Sequence, residues 1–260
     1  MIWHNPLVLN RLAAGFATAA CVMLLGAGIH AFIHLPYFEL RNMVIDETEQ
    51  LPRHIDMVSV HAYLASVARG NFFTADLASV RHTLQTLPWV RDARVRRVWP
   101  DGLAITLEEH VPMAIWGMPG SGRLVNAQGE VFSAPLGSEL RQLIRLNGPE
   151  GRSSEMLARW LQIKTIFSPL HWELDALNLN ARYAWSAHFQ NGMKVEFGRQ
   201  ENETHQPSLE VRAQYFVASW PAVSKHWNVP IDYADLRYTN GFAVRTQSVA
   251  NHHSPMQLMH

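Results

Sequence analysis

The stretch Leu87-Pro-Trp-Val-Arg-Asp-Ala-Arg-Val-Arg-Arg-Val-Trp-Pro-Asp-Gly-Leu-Ala-Ile-Thr-Leu-Glu-Glu109 decides how the first half of the chain is read. Ala93 and Val95 alternate with arginines, and Leu103, Ile105 and Leu107 alternate with Ala104, Thr106 and Glu108. A period of two is the mark of a strand with one buried face. Pro100-Asp101-Gly102 supplies the turn between two such strands. Upstream the period changes. Leu77, Val80, Leu84 and Leu87 recur at helical spacing behind a cap at Thr74 or Asp76, and Pro88 ends that helix. Asp56 can cap an earlier helix running through Ala68, with Val60, Leu64 and Val67 on one face. Gly70-Asn71 stops it. Before both lies a short apolar strand candidate, Phe38-Glu-Leu-Arg-Asn-Met-Val-Ile45. The order is β-α-α-β-β over roughly 75 residues, long enough for a small domain.

The N-terminal side has a different character. Residues 12–29 are apolar apart from Thr18, and Arg11 is the single Lys or Arg before residue 39. About 20 such residues in a helix cross about 30 Å of hydrocarbon. A buried core helix of this length is disfavoured, and Gly28-Ile-His-Ala-Phe-Ile-His-Leu35 is a poor cleavage site for a signal peptide. An uncleaved transmembrane helix over 12–35 is expected, with a short cytoplasmic tail, 1–11. Arg11 before it, and Glu39, Asp46, Glu47 and Glu49 after it, orient the N-terminus to the cytoplasm. Cys21 inside this helix reads as a small apolar filler. It is the only cysteine, so the outer region folds without an internal disulfide. His30 and His34 share a helix face but have no adjacent third ligand.

Downstream of 110 the pattern is a second α+β region. Leu124-Val125 and Val131-Phe132 flank a turn at Asn126-Ala-Gln-Gly129. A helix is expected from about 155 to 167, with Leu157, Leu161 and Ile166 at mixed helical spacing. Leu174, Leu177 and Leu179 mark one strand and residues 183–189 another. Asn191-Gly192 is the strongest hairpin signal in the chain. Lys194-Val-Glu-Phe197 returns from it and Gly198 breaks the strand. Pro207 opens a helix running to about Trp220. Pro230 precedes a final strand pair within residues 232–245. The sheet is expected to be mostly antiparallel, and the polar, His-rich segment 247–260 to be disordered.

Composition restricts the function. The chain has 260 residues, with 22 Lys+Arg balanced by 22 Asp+Glu. Setting Arg11 aside leaves the remainder one charge short of neutral, which disfavours a phosphate polymer as partner. Arg91, Arg94, Arg96 and Arg97 therefore read as a solvated strand face, not a nucleic-acid patch; alternating charge also protects an edge from aggregation. Charged residues make up 17% of the chain against about 25% in soluble domains. No nucleophile elbow, dinucleotide fingerprint or P-loop occurs. Glu108 and Glu109 fall on opposite faces of a strand and cannot act as an acid–base pair. His252, His253 and His260 lie in the tail, where a closed metal site is not expected. Neither catalytic residues, a cofactor, a metal nor a small-molecule substrate is expected.

Several segments together carry a resemblance. Gly70-Asn-Phe-Phe-Thr-Ala-Asp76, Leu87-Pro-Trp-Val90, Ala93-Arg-Val-Arg-Arg-Val-Trp-Pro100 and Leu103-x-Ile-x-Leu-x-Glu108 resemble the POTRA module of bacterial division proteins. Glu109-His-Val-Pro-Met-Ala-Ile-Trp116, Leu124-Val-Asn-Ala-Gln-Gly-Glu-Val-Phe132 and Tyr233-Ala-Asp-Leu-Arg-Tyr-Thr-Asn-Gly-Phe-Ala-Val244 extend it. With the N-terminal helix, the whole is similar to the FtsQ/DivIB family. One departure is Ile45-Asp46-Glu47, where the family's first POTRA strand commonly ends in glycine. The resemblance implies a POTRA domain over 38–109, a β domain over 110–246, and a non-enzymatic scaffold of the inner membrane at the division septum. It implies as partners FtsB and FtsL, and other division proteins such as FtsK, FtsW and FtsI. The residues matching the family's FtsB-binding segment are Arg199, Tyr233, Arg237, Tyr238, Asn240, Gly241, Phe242, Ala243 and Val244, with strand addition as the mode. Val95, Arg96 and Arg97 match the POTRA strand that recruits other division proteins. A POTRA-bearing outer-membrane assembly or secretion component is the alternative; such proteins usually carry a barrel or several POTRA repeats.

Overall fold

The computed structural model describes residues 6–46, 53–67, 70–118, 120–135, 137–200, 207–226 and 230–246. The expected tail at 247–260, the Glu47–Gln50 acidic run and the end of the second helix at Ala68 lie outside them. The chain forms two compact units, Met1–His110 and Val111–His260.

The first unit begins with helix α1, Pro6–Ile33. Its apolar span, Asn10–Ile33, is 24 residues long with none of it buried by the protein, and is long and apolar enough to cross a membrane. Its one interior hydroxyl is satisfied within the helix: Thr18 donates to the carbonyls of Ala14 and Gly15 at 3.0 and 2.9 Å. That is the solution a hydrocarbon solvent demands. A 3-10 turn, Pro36–Phe38, follows.

The remaining elements are β1 (Asn42–Asp46), α2 (Met57–Val67), α3 (Leu77–Gln85), β2 (Val90–Val98) and β3 (Gly102–Glu109). The order β-α-α-β-β is the expected one, with β1 starting later than Phe38. The first residues of that stretch form the 3-10 turn, where Phe38 packs as a buried ring. The sheet order is β1-β3-β2, with β3 parallel to β1 and antiparallel to β2. Central β3 buries Leu103, Ile105 and Leu107, and Val60 and Leu64 of α2 and Val80 and Leu84 of α3 are buried as well. Asp56 caps α2, accepting from the backbone N–H of Val58 and Ser59. Asp76 caps α3, accepting from Ala78 and Ser79. Each cap satisfies backbone donors that the first helical turn leaves unpaired.

Thr74, the other cap candidate, has a different task. It belongs to a tight loop organised by Asn71, which is only 7% exposed. The Asn71 side-chain carbonyl accepts from Phe73 N–H, Thr74 N–H and the Thr74 hydroxyl at 2.9–3.0 Å. Its amide donates to the carbonyl of Ile33, the last residue of α1, at 2.6 Å. Gly70 precedes it with φ +107, a conformation that a side chain would strain.

The second unit contains β4 (Pro112–Trp116), β5 (Arg123–Asn126), β6 (Val131–Ser133), β7 (Arg145–Asn147), α4 (Ser153–Phe167), β8 (Leu174–Leu179), β9 (Ala184–Phe189), β10 (Lys194–Arg199), α5 (Leu209–His226), β11 (Ile231–Asp235) and β12 (Ala243–Thr246). One nine-stranded sheet runs β12-β11-β10-β9-β8-β7-β4-β5-β6. Most neighbours are antiparallel; β10–β11, β7–β8 and β4–β7 are parallel. Helices α4 and α5 contribute Met156, Leu157, Ile163, Phe167, Phe216 and Val217 to its core. Arg159 of α4 bonds Glu210 of α5 and Gln200, with its guanidinium 5.4 Å from the Trp185 ring centroid.

The packed face of α4 runs through Met156, Ile163 and Phe167, which leaves Leu161 exposed. Two local expectations are corrected. Gly198 does not end β10; it forms a bulge there at φ +75, and the strand continues to Arg199. Helix α5 passes through Pro221 to His226. The proline forfeits one backbone hydrogen bond, and Lys225 and His226 in the last turn favour the helix dipole.

Replacing Asn71 by alanine removes the hub of the loop and leaves buried backbone groups unpaired. The first unit is expected to lose about 1–3 kcal/mol of stability, read as a lowered denaturant midpoint of the full chain in detergent.

A candidate protein-docking edge

Among the described residues strand β12 is an edge of the large sheet, paired with β11 alone. Its register sets Asp235 opposite Ala243, Ala234 opposite Val244 and Tyr233 opposite Arg245. Side chains alternate along it. Val244 turns toward the core, as does Phe242 just before the strand, whereas Ala243 and Arg245 are exposed. The Phe242 ring meets Phe216 of α5 at 5.0 Å and Tyr215 at 6.2 Å. Tyr238 is 57% exposed. Together with Thr239, Asn240, Gly241, Phe242 and Ala243 it lines a shallow open depression beside the edge.

Buried charge holds this corner. Arg212 of α5 is 8% exposed. Its guanidinium donates to the carbonyl of Leu236, which follows β11, and to the carbonyl of Arg199, which ends β10, both at 3.1 Å. Leu236 N–H donates in turn to Glu196 at 2.8 Å. Arg199 and the segment 236–243 therefore lie at the same end of the sheet. Gly198 makes the approach possible: a Cβ there would stand 2.8 Å from Arg237 Cγ.

Arg237 is bidentate to the buried carboxylate of Asp235, at 2.8 and 2.6 Å, and its N–H donates to the same group at 3.1 Å. These bonds hold the Asp235 carboxyl below the usual aspartate range and push the guanidinium higher still. Arg237 thus serves the loop. Arg199 is exposed, and its side chain makes no ion pair among the described residues. Tyr233 sits back along β11, its ring 4.8 Å from the Arg245 guanidinium and 5.9 Å from the Lys194 ammonium. Arg212 and Asp235 carry the geometry yet were not singled out in the sequence. Asp235 beside Arg237 offers a faint i,i+2 signal; Arg212 offers none.

The POTRA strand candidates lie on β2, also an edge strand. Val95 is half-buried, and Arg96 and Arg97 are exposed. Arg97 is committed to its own unit: it donates to the carbonyls of Phe72 and Ala75 at 2.6 and 2.8 Å. Arg91 pairs with Glu108 at 2.5 Å, and Glu109 instead accepts from the backbone N–H of Arg53 and His54. The neighbouring carboxylates thus have separate structural partners. Among the described residues no cluster of three or more His, Cys, Asp or Glu side chains is arranged to hold a metal ion.

Arg97→Ala is expected to destabilise the first unit by about 1 kcal/mol, since the Phe72 and Ala75 carbonyls lose a charged donor; thermal melts should show no comparable loss for Arg94→Ala, whose side chain is 78% exposed. The Asp235 contribution, because its carboxyl is depressed in the folded state, is complete above the ordinary aspartate value of 3.8 and is lost as pH falls below it. The Asp235 carboxyl carbon, followed by carbon-13 NMR, should titrate below the ordinary aspartate value, and Arg237→Ala should move its midpoint upward.

A family profile described as "Cell division protein FtsQ/DivIB, C-terminal" matches residues 114–237, and one described as "POTRA domain, FtsQ-type" matches residues 50–110. The chain is 41% identical over 245 residues to the protein named cell division protein FtsQ of Burkholderia pseudomallei, covering 94% of each. It is 33% identical over 265 residues to that of Bordetella pertussis, covering 97% of this chain and 96% of the relative. For Nitrosospira multiformis the identity is 34% over 246 residues, covering 94% and 99%. With both profiles in chain order and near full-length identity, the chain belongs to the FtsQ/DivIB family of cell division proteins.

Proposed function

We propose that this chain is a non-catalytic scaffold of the division machinery. Helix α1 anchors it in the inner membrane with the N-terminus cytoplasmic and both folded units in the periplasm, at the septum. The edge of β12 collects the FtsB and FtsL pair, FtsB adding a strand beside Ala243–Thr246. Arg199 supplies a cation for an acidic side chain of that partner. Through the edge of β2, which carries Val95 and Arg96, the chain contacts further membrane proteins such as FtsK, FtsW and FtsI. It thereby links early to late steps that control septal peptidoglycan synthesis.

The observation that carries this reading is the open β12 edge with its depression at Tyr238–Ala243. An unpaired edge offers backbone donors and acceptors to an incoming strand, and adjacent pockets select side chains. Nothing comparable supports a reaction: the carboxylates and guanidinium groups of this corner are engaged in holding the backbone. Membership of the division family also weighs against the outer-membrane assembly alternative.

The core-facing positions Phe242 and Val244 are poor probes, because charge there would disturb packing against α5 and the sheet. Exposed Tyr238 and Ala243 are better. Tyr238→Glu and Ala243→Glu in the full-length protein are expected to weaken binding of purified FtsB–FtsL by about 2 kcal/mol or more, roughly thirtyfold in Kd. Ser133→Glu, on the opposite edge strand β6, should leave affinity unchanged. Undiminished binding by both folded variants would refute the assignment.

A further inference from the structure

At the junction of α1 and the POTRA fold lies a cluster of five aromatic rings with a sixth at its margin. Phe38 is its centre, 3% exposed. It meets Phe32 at 5.2 Å, Phe73 at 5.0 Å, Trp99 at 5.4 Å and Tyr37 at 5.3 Å; Phe72 meets Phe73 and Trp99 at 5.3 and 5.2 Å. Core rings are normally covered on all sides. Here Tyr37 is 65% exposed, Trp99 61% and Phe73 40%.

The level of these rings relative to a bilayer follows from α1. The 24 residues of Asn10–Ile33 span about 36 Å, against about 30 Å of hydrocarbon. A centred span puts Ile33 about 3 Å beyond the hydrocarbon edge, inside the headgroup layer. The Asn71 amide bonds the Ile33 carbonyl, so the loop bearing Phe72 and Phe73 lies at that level. Phe32, in the last turn of α1, faces outward from the helix and touches Phe38, so the cluster continues the lipid-facing surface. Tyrosine and tryptophan concentrate at this depth because their rings are apolar and their tips hydrogen-bond. Of the nearby carboxylates, Glu39 pairs with Arg41 at 3.1 Å and Asp101 accepts from the Asn42 amide, so both have partners at the polar, water-accessible level of the headgroups.

We propose that Tyr37, Phe73 and Trp99 are seated in the lipid headgroup layer on the POTRA side of the membrane, giving the first unit a lipid contact of its own beside the helix. The occupant is lipid, not protein, because the patch is continuous with a surface that is itself built for lipid. Such a seat holds the POTRA fold at a set level above the bilayer and limits how its β2 edge is presented. It rests on α1 being inserted, and does not depend on the β12 reading.

Depth measurement by electron paramagnetic resonance tests it in the full chain, reconstituted in phosphatidylethanolamine vesicles with phosphatidylglycerol as minority lipid. Native Cys21 carries a spin label as the insertion control. In a Cys21→Ala background, labels are placed by Tyr37→Cys, Phe73→Cys, Trp99→Cys and, on the solvent face of β2, Arg94→Cys. Collisions with oxygen relative to a water-soluble nickel chelate should be several-fold more frequent at 37, 73 and 99 than at 94. Tyr37 decides if the other variants melt early, since its ring contacts Phe38 alone among the described rings. Water-like values at 37 with a deep Cys21 label overturn the proposal while leaving the anchor standing. A water-exposed Cys21 label overturns both. Shielding at 37 that appears only after FtsB–FtsL is added makes the patch a protein-docking face and likewise overturns it.

Discussion

Backbone N–H and C=O groups must be paired wherever water is excluded, and both sheets of this chain end before that demand is met. The same device answers it each time: a side chain of fixed geometry reaches across to orphaned backbone groups. Asn71 does this between α1 and the POTRA loop. Arg97 does it for Phe72 and Ala75. Arg212 does it for the ends of β10 and β11. Arginine suits the last two roles because its planar fork presents several donors in fixed directions. Among the described residues, the outer sides of the edge strands β1, β2, β6 and β12 carry no further strand, and water or a partner can reach them.

This arrangement separates stability from recognition. The charges that look most available in a linear reading, Arg97 and Arg237, hold backbone or a carboxylate of their own unit. The groups left outward at the β12 corner are Arg199, Tyr238 and Ala243, a cation, a ring and a small residue beside an open edge. For the proposed scaffold this division is an advantage, since the presenting groups can vary with the partner while the supporting ones keep the edge in place. At the other end of the chain the aromatic cluster around Phe38 extends the same logic: rings that support the POTRA base are continuous with rings that face outward.

Much of the architecture is legible because its periods are local. The alternation through Leu103, Ile105 and Leu107, the caps at Asp56 and Asp76, and the Asn191-Gly192 turn each follow from neighbours in sequence. Other features were hidden for equally physical reasons. Strand β7 is three residues long, too short to show a period. Leu161 has the spacing of a core residue, yet α4 is rotated by contacts with the sheet and α5. Gly198 reads as a breaker, but in a bulge the same freedom of φ prolongs the strand. The edge segment 237–244 was found through resemblance; its supports, Asp235 and Arg212, were not, since their partners are backbone atoms brought near by folding.

From its residues alone the chain is committed to an apolar N-terminal helix, a β-α-α-β-β unit, a second α+β unit and an outer region without disulfides. Those depend on hydrophobic period, turn chemistry and composition, which are properties of short stretches. Folding alone decides which edge is open, which arginines are spent internally, and which rings share the level of the helix end. Each of these is a relation between segments distant in sequence, fixed only when one packed arrangement satisfies the buried backbone groups of all of them.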